Sequence, residues 1–189
     1  MGIRVSVIAA VSLAASGAVP AMAAQYEQSG AWVFNSTAVA ADGDTMLFAC
    51  TASTVSAEGT ELSLTVTPDG VGGVEAGMTL ANGAWALGAA PLRVRFVIGA
   101  ERWVLPGTGA GAAVGIDWTG DAGFLAFAEA LASSSFAGLN GRDGGQIAQF
   151  SLSGSRGAIE AMKACGAEQI GQGLEAAFAV EAADGANPF

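Results

Sequence analysis

The chain has 189 residues, 52% of them hydrophobic, with 17 acids against 7 bases and a formal charge of −10. That balance repels phosphate backbones and anionic lipid, so nucleic acid is excluded as an expected partner and a basic protein is favoured over an acidic one. There is no histidine, which removes imidazole from any acid–base, zinc or copper chemistry.

Taken in chain order, the first element is a targeting segment. Arg4 supplies a positive start, Val5 to Val19 is uncharged and apolar, and Pro20 leads into Ala21-Met22-Ala23. This order predicts a secretory signal peptide over residues 1–23, cleaved after Ala23. The uncharged run is short of the roughly 20 residues that a membrane helix needs, so no span is expected after cleavage. Removing the segment's one base, Arg4, would take the formal charge to −11. The expected location is the periplasm or the medium. Residues 24–166 read as a single β-rich domain and 167–189 as a weakly helical to loose tail.

The mature part opens with strand-like runs at Ala31–Phe34 and Thr45–Thr51. Glu61–Thr67 alternates, with Leu62, Leu64 and Val66 on one face, and predicts a half-buried strand before the turn residues Pro68-Asp69-Gly70. Met78–Leu80, Trp85–Leu87, Leu92–Ile98 and Arg102–Leu105 predict an antiparallel meander, with Gly99-Ala100-Glu101 as a hairpin connection. Gly107–Gly115 is too small-sided to pack a core and reads as a loop that passes into a short strand, Ala113–Trp118. Asp121–Ser133 spaces Phe124, Phe127, Ala128 and Leu131 along one helical face. Phe136–Leu139 and Gln146–Leu152 predict two more strands, and a second helix runs from Ser155 to about Cys165. The whole is an expected α+β fold, mainly β: an antiparallel β-sandwich or flattened barrel with two late helices packed at its edge.

The two cysteines, Cys50 and Cys165, are expected to form a disulfide, as an exporting compartment permits and as the absence of a C-x-x-C spacing favours. Cys165 falls on the helical face of Ala158 and Met162, so it should point inward.

Candidate chemistry is sparse. Ser153-Gly154-Ser155-Arg156-Gly157 has half of a nucleophile-elbow pattern, but a serine nucleophile needs a base. The only lysine, Lys163, would stand about 12 Å from Ser155 along the helix at ~1.5 Å per residue. Ser153 or Ser155 is expected to cap the helix instead, with Gly154 making the turn. Asp117 and Asp121 are the one candidate pair for a carboxylate-only hydrolase, and both are also explained as a strand end and a helix cap. Asp42-Gly43-Asp44 lacks the spaced ligands of a calcium loop and reads as a turn. No metal or other cofactor is expected. The tryptophans Trp32, Trp85, Trp103 and Trp118 are expected mainly in the core. Arg93, Arg95 and Arg102 form the only basic cluster, and with Trp103 they make the candidate contact surface.

The order of GAWVF, then LRVRFVIGAERWVL, then a helix, then FSLSGSRGAIEAMKAC resembles the invasion-associated locus B-like family of small exported alphaproteobacterial proteins. The resemblance implies a periplasmic or envelope-associated, non-enzymatic, macromolecule-binding protein and carries over no catalytic residue. The expected partner is an unidentified protein or envelope component. The alternatives are an acidic inhibitor of a basic periplasmic enzyme such as a lysozyme and, in a different class, the carboxylate hydrolase.

Overall fold

Stretches in which apolar and polar side chains alternate dominate the sequence after the first two dozen residues, and in the computed structural model they become ten strands among the described residues. The structure describes residues 26–42, 45–69, 73–118, 122–171 and 174. The expected signal peptide and its cleavage point, Asp121, the Gly43-Asp44 part of the first acidic turn, and the tail beyond Leu174 lie outside the described residues.

The strands are β1 (Tyr26–Ser29), β2 (Trp32–Asp42), β3 (Thr45–Val55), β4 (Glu61–Pro68), β5 (Val74–Ala81), β6 (Leu87–Ile98), β7 (Glu101–Gly111), β8 (Ala113–Trp118), β9 (Phe136–Asn140) and β10 (Gln146–Ser151). Helix α1 (Ala122–Ser133) separates β8 from β9, and α2 (Ser155–Ile170) follows β10. All ten strands join one open antiparallel sheet in the order β1-β2-β3-β4-β5-β8-β7-β6-β9-β10. The mainly β, α+β architecture is therefore as expected, its sheet open and consistent with a sandwich or flattened barrel. Two connections skip neighbours: β5 passes to β6 beyond β8 and β7, and α1 carries the chain from β8 to β9.

One face of the sheet is buried along its length. Leu62, Leu64 and Val66 of β4 are fully buried, as their period of two predicts, and Val94, Phe96 and Ile98 of β6 face the same core. Helix α1 places Phe127 edge-on to Phe96 and Trp103, and tilted against Trp118. Such aromatic pairs add about 0.5–1.5 kcal/mol each beyond the area they bury.

Three local expectations are revised. The expected strand Trp85–Leu87 begins only at Leu87, because Asn82 accepts from Trp85 N at its carbonyl and from Ala84 N at its side chain, both at 2.9 Å, which folds the preceding residues into a turn. The glycine-rich stretch is not a loop: β7 continues to Gly111, and Thr108–Ala110 pairs with Ala113–Gly115 of β8. Small residues are needed there because β6 and β8 crowd in. A Cβ on Gly107 would lie 3.0 Å from Ile116 Cγ1, and one on Gly109 would lie 3.0 Å from Gly88 O. Finally, α2 runs past Cys165 to Ile170.

The last strand returns to the first ones without pairing with them. Ala31 N donates to Ser153 O (2.9 Å), Trp32 Nε1 to Ser151 O (2.9 Å) and Gln149 N to Glu58 Oε2 (3.3 Å). An open sheet edge is a hazard for unwanted pairing, and here an indole, a carboxylate and a turn amide occupy it. The Glu58 carboxyl is held below its ordinary pKa by the Ser56 hydroxyl first, then by its own amide and that of Gln149. A depressed pKa means a contribution fully present above the ordinary glutamate range and lost as pH falls through the folded value. Glu58→Gln should therefore remove one component of the acid-side loss of stability, read from urea midpoints of both proteins across the acid range. Parallel profiles would show that the seam carboxylate contributes nothing.

Candidate functional site

The cationic cluster is built by β6. Because side chains alternate, Val94 and Phe96 point into the core while Arg93 and Arg95 turn to the other side. β9 pairs with β6 only over Arg95–Ile98, from Arg95 opposite Asn140 to Ile98 opposite Ala137. N-terminal to Arg95, β6 has no strand on that side among the described residues. Residues of both faces therefore reach the gap beside its edge.

That gap is a cavity of about 330 Å³. Its floor is Leu80, Val94, Val114 and Leu139, all buried core residues, and its walls are Trp85, Leu87, Leu92 and Ile147. Arg93, Arg95 and Arg142 form its rim with Asn140 and Gly141. Hydrogen-bonded turns fix both sides. Asn82 Nδ2 donates to Thr60 Oγ1 at 2.9 Å and holds the turn that carries Trp85. In the β9–β10 hairpin, Gly141 N donates to Gly145 O at 2.7 Å and Gly145 N donates to Asp143 Oδ1 at 3.0 Å, which shapes the turn that carries Arg142.

Among the described residues the ion pairs are Arg156 with Glu129 and Lys163 with Glu160, each at 3.5 Å and both on the helices. Arg93, Arg95, Arg102 and Arg142 have none. In a chain of formal charge −10, three arginines without an ion pair among the described residues therefore line one mostly apolar opening.

The structure brings together two of the four residues of the candidate contact surface and separates the others. Arg93 and Arg95 share the rim. Arg102 pairs with Val97 on the same outer face but further along the hairpin, and it does not line the cavity. Trp103 pairs with Phe96 and faces inward, with its ring 5.3 Å from that of Phe127. It lines a separate hollow of about 300 Å³ with Asp117 and Trp118, and its buried Nε1 has no hydrogen-bond partner among the described residues. The tryptophan beside the arginines is Trp85. Trp32 and Trp118 are core residues, as expected.

The serine–glycine turn is structural. Ser155 is 1% exposed, and its hydroxyl lies 2.9 Å from Leu131 O and 2.8 Å from Leu152 O, so its one O–H is shared between the end of α1 and its own turn. The expected serine cap is absent: the N-cap is Gly154, and no side chain caps the helix. Cys50 and Cys165 are bonded, with Cα atoms 6.0 Å apart. One turn further along α2, Gln169 clamps the backbone of Phe48, accepting from its N at 2.6 Å and donating to its O at 3.0 Å.

Asp117 is exposed on the outer face of β8, opposite Gly77. Its neighbour there is Glu75, which pairs with Thr67, and these residues with Thr65 line a shallow hollow of about 390 Å³. Among the described residues no group of three or more histidine, cysteine or acidic side chains is placed to hold a metal ion, and no helix is long and apolar enough to cross a membrane. Comparisons with protein-family models, with curated proteins and with solved structures return no match.

Proposed function

We propose that this chain is a non-catalytic binding protein that works outside the cytoplasm and engages its partner at the arginine-rimmed end of the sheet. The observation that carries the proposal is the convergence of Arg93, Arg95 and Arg142, unpaired among the described residues, on an apolar cavity. Openings of this kind, mostly apolar with a few directed polar groups, are the usual form of binding sites. The disulfide supports the export part of the reading, as does the N-terminal segment. The resemblance to invasion-associated locus B-like proteins belongs to the same proposal, since it also points to an exported protein without catalytic residues. A partner at this end carries negative charge, where net composition alone favours a basic one.

The test is affinity capture from an envelope fraction by the mature protein at low and high salt. Expected is a component retained at low salt, released by salt, lost with Arg93→Ala/Arg95→Ala/Arg142→Ala and kept by Arg102→Ala. Capture indifferent to the triple variant would overturn the site. Capture lost instead with Glu75→Gln/Asp117→Asn would move it to the acidic hollow on the outer face and favour the inhibitor reading.

A further inference from the structure

We infer that the cavity beside β6 takes a single-chain anionic amphiphile: one alkyl chain in the apolar interior and one terminal oxyanion on the arginine rim. The inference rests on reading this end as the binding site and names the chemistry of what fills it. The floor of Leu80, Val94, Val114 and Leu139 belongs to the buried core and has no side-chain donor or acceptor. A polar group pushed against it would lose its hydrogen bonds to water without replacement, so the inner part of the ligand is hydrocarbon.

The rim makes the opposite demand. Guanidinium groups present forked donors that match a carboxylate or phosphate, and charge-assisted bonds of this kind are about twice as strong as neutral ones. Size narrows the ligand further. About 330 Å³ is at the lower end of the roughly 300–1,000 Å³ typical of small-molecule sites, which suits one chain and not a two-chain lipid. An added β-strand fits this edge poorly, because Pro91 lacks an amide donor and a bulge between Leu87 and Ala90 distorts the strand. The acidic outer face does not forbid an anion here, since exposed charges beyond about 8–10 Å are largely screened at physiological salt.

The probe is dodecanoate, held below the concentration at which it aggregates and titrated into the mature protein. Binding is followed by tryptophan fluorescence and by calorimetry. Saturable one-to-one binding is expected, with a fluorescence change that is lost in Trp85→Phe. Neutral 1-dodecanol should bind about tenfold or more weakly, the cost of losing a charge-assisted hydrogen bond. Arg93→Ala, Arg95→Ala and Arg142→Ala should each weaken dodecanoate by about tenfold and leave dodecanol unchanged. Arg102→Ala should change neither. Dodecyl phosphate in place of dodecanoate separates a phosphate head from a carboxylate, and tighter binding of either supports the inference.

Equal affinity for the alcohol and the acid, or arginine variants without effect, would overturn it. So would binding only to vesicles containing anionic lipid, which would make the end a membrane-surface contact. Failure of dodecanoate to bind, with arginine-dependent capture intact, would remove the amphiphile and leave the binding site standing. Dodecanoate binding with arginine-independent capture would overturn the macromolecular partner and leave the amphiphile.

Discussion

Gly154→Ala should destabilise the protein by about 3–5 kcal/mol, a large part of the roughly 5–15 kcal/mol that holds a domain together. Two costs combine. Gly154 has φ +88°, and a side chain in that region costs about 1–3 kcal/mol. An added Cβ would also collide with the backbone carbonyl of Ser29 and lie 2.8 Å from Gly30 N. The colliding atoms are backbone in a tight turn, and that turn is held by the Ala31 N to Ser153 O bond, so relief requires parting the seam between the first and last strands. Gly144→Ala is the control. Its φ is +86°, but nothing lies within 4 Å of the added carbon, so only the backbone term of about 1–3 kcal/mol is paid. Urea unfolding of the two variants should show the first cost well above the second. Equal costs would mean that the two turns do not meet as described.

Breaking the Cys50–Cys165 bond should cost about 4–5 kcal/mol by the loop-closure argument for a separation of 115 residues, an upper figure because residual structure in the unfolded chain reduces it. In a protein of this size about 1 kcal/mol shifts the melting temperature by roughly 2–4 °C, so Cys50→Ala/Cys165→Ala should melt several degrees lower, by up to about 10–20 °C. The bond ties α2 to β3, and Gln169 makes a second tie to the same strand through Phe48. Gln169→Ala leaves a backbone donor and acceptor unpaired at a cost of about 1–3 kcal/mol. Because Gln169 Nε2 also lies 2.9 Å from Cys50 Sγ, the two changes should couple rather than add, by about 0.5 kcal/mol or more. An unchanged melting temperature in the cysteine double variant would show that the bond does not restrain the fold.

Local periodicity made much of this architecture legible. Leu62, Leu64 and Val66 alternate without interruption, so their burial could be read directly, and Cys165 shares a helical face with Met162, which fixed its inward direction. Parity also separates Trp103 from the arginines it was grouped with. The expected three-residue connection is one residue too long: Ile98 pairs with Glu101 across a two-residue turn, Gly99-Ala100, with Gly99 at φ +57°. Arg102 and Trp103 are neighbours on one strand and so face opposite sides: Arg102 points out with Val97, and Trp103 points in with Phe96. The glycine-rich part of β7 was misread because its side chains carry no pattern; the reason for glycine there is the approach of Gly88 and Ile116, both remote in sequence.

Ser155 was expected to accept from helix amides, but it donates to Leu131 O, a group that only the packing of α1 against α2 supplies. Arg142 is the residue of the proposed site that the sequence did not single out. It sits in a polar hairpin turn nearly fifty residues from Arg93, and only the β6–β9 pairing brings them to one rim. The signal available was a lone arginine in the turn Asn140-Gly141-Arg142-Asp143-Gly144-Gly145, in a chain with few bases to spare.

The central claim, that the arginine-rimmed cavity is where this protein binds, is tested most directly by mapping backbone amide shifts of the isotope-labelled mature protein during a dodecanoate titration. Changes concentrated at Trp85, Leu87, Leu92–Arg95 and Leu139–Arg142 are the predicted result. Changes confined to Thr65, Thr67, Glu75 and Asp117 on the outer face, or none at saturating probe, would contradict it.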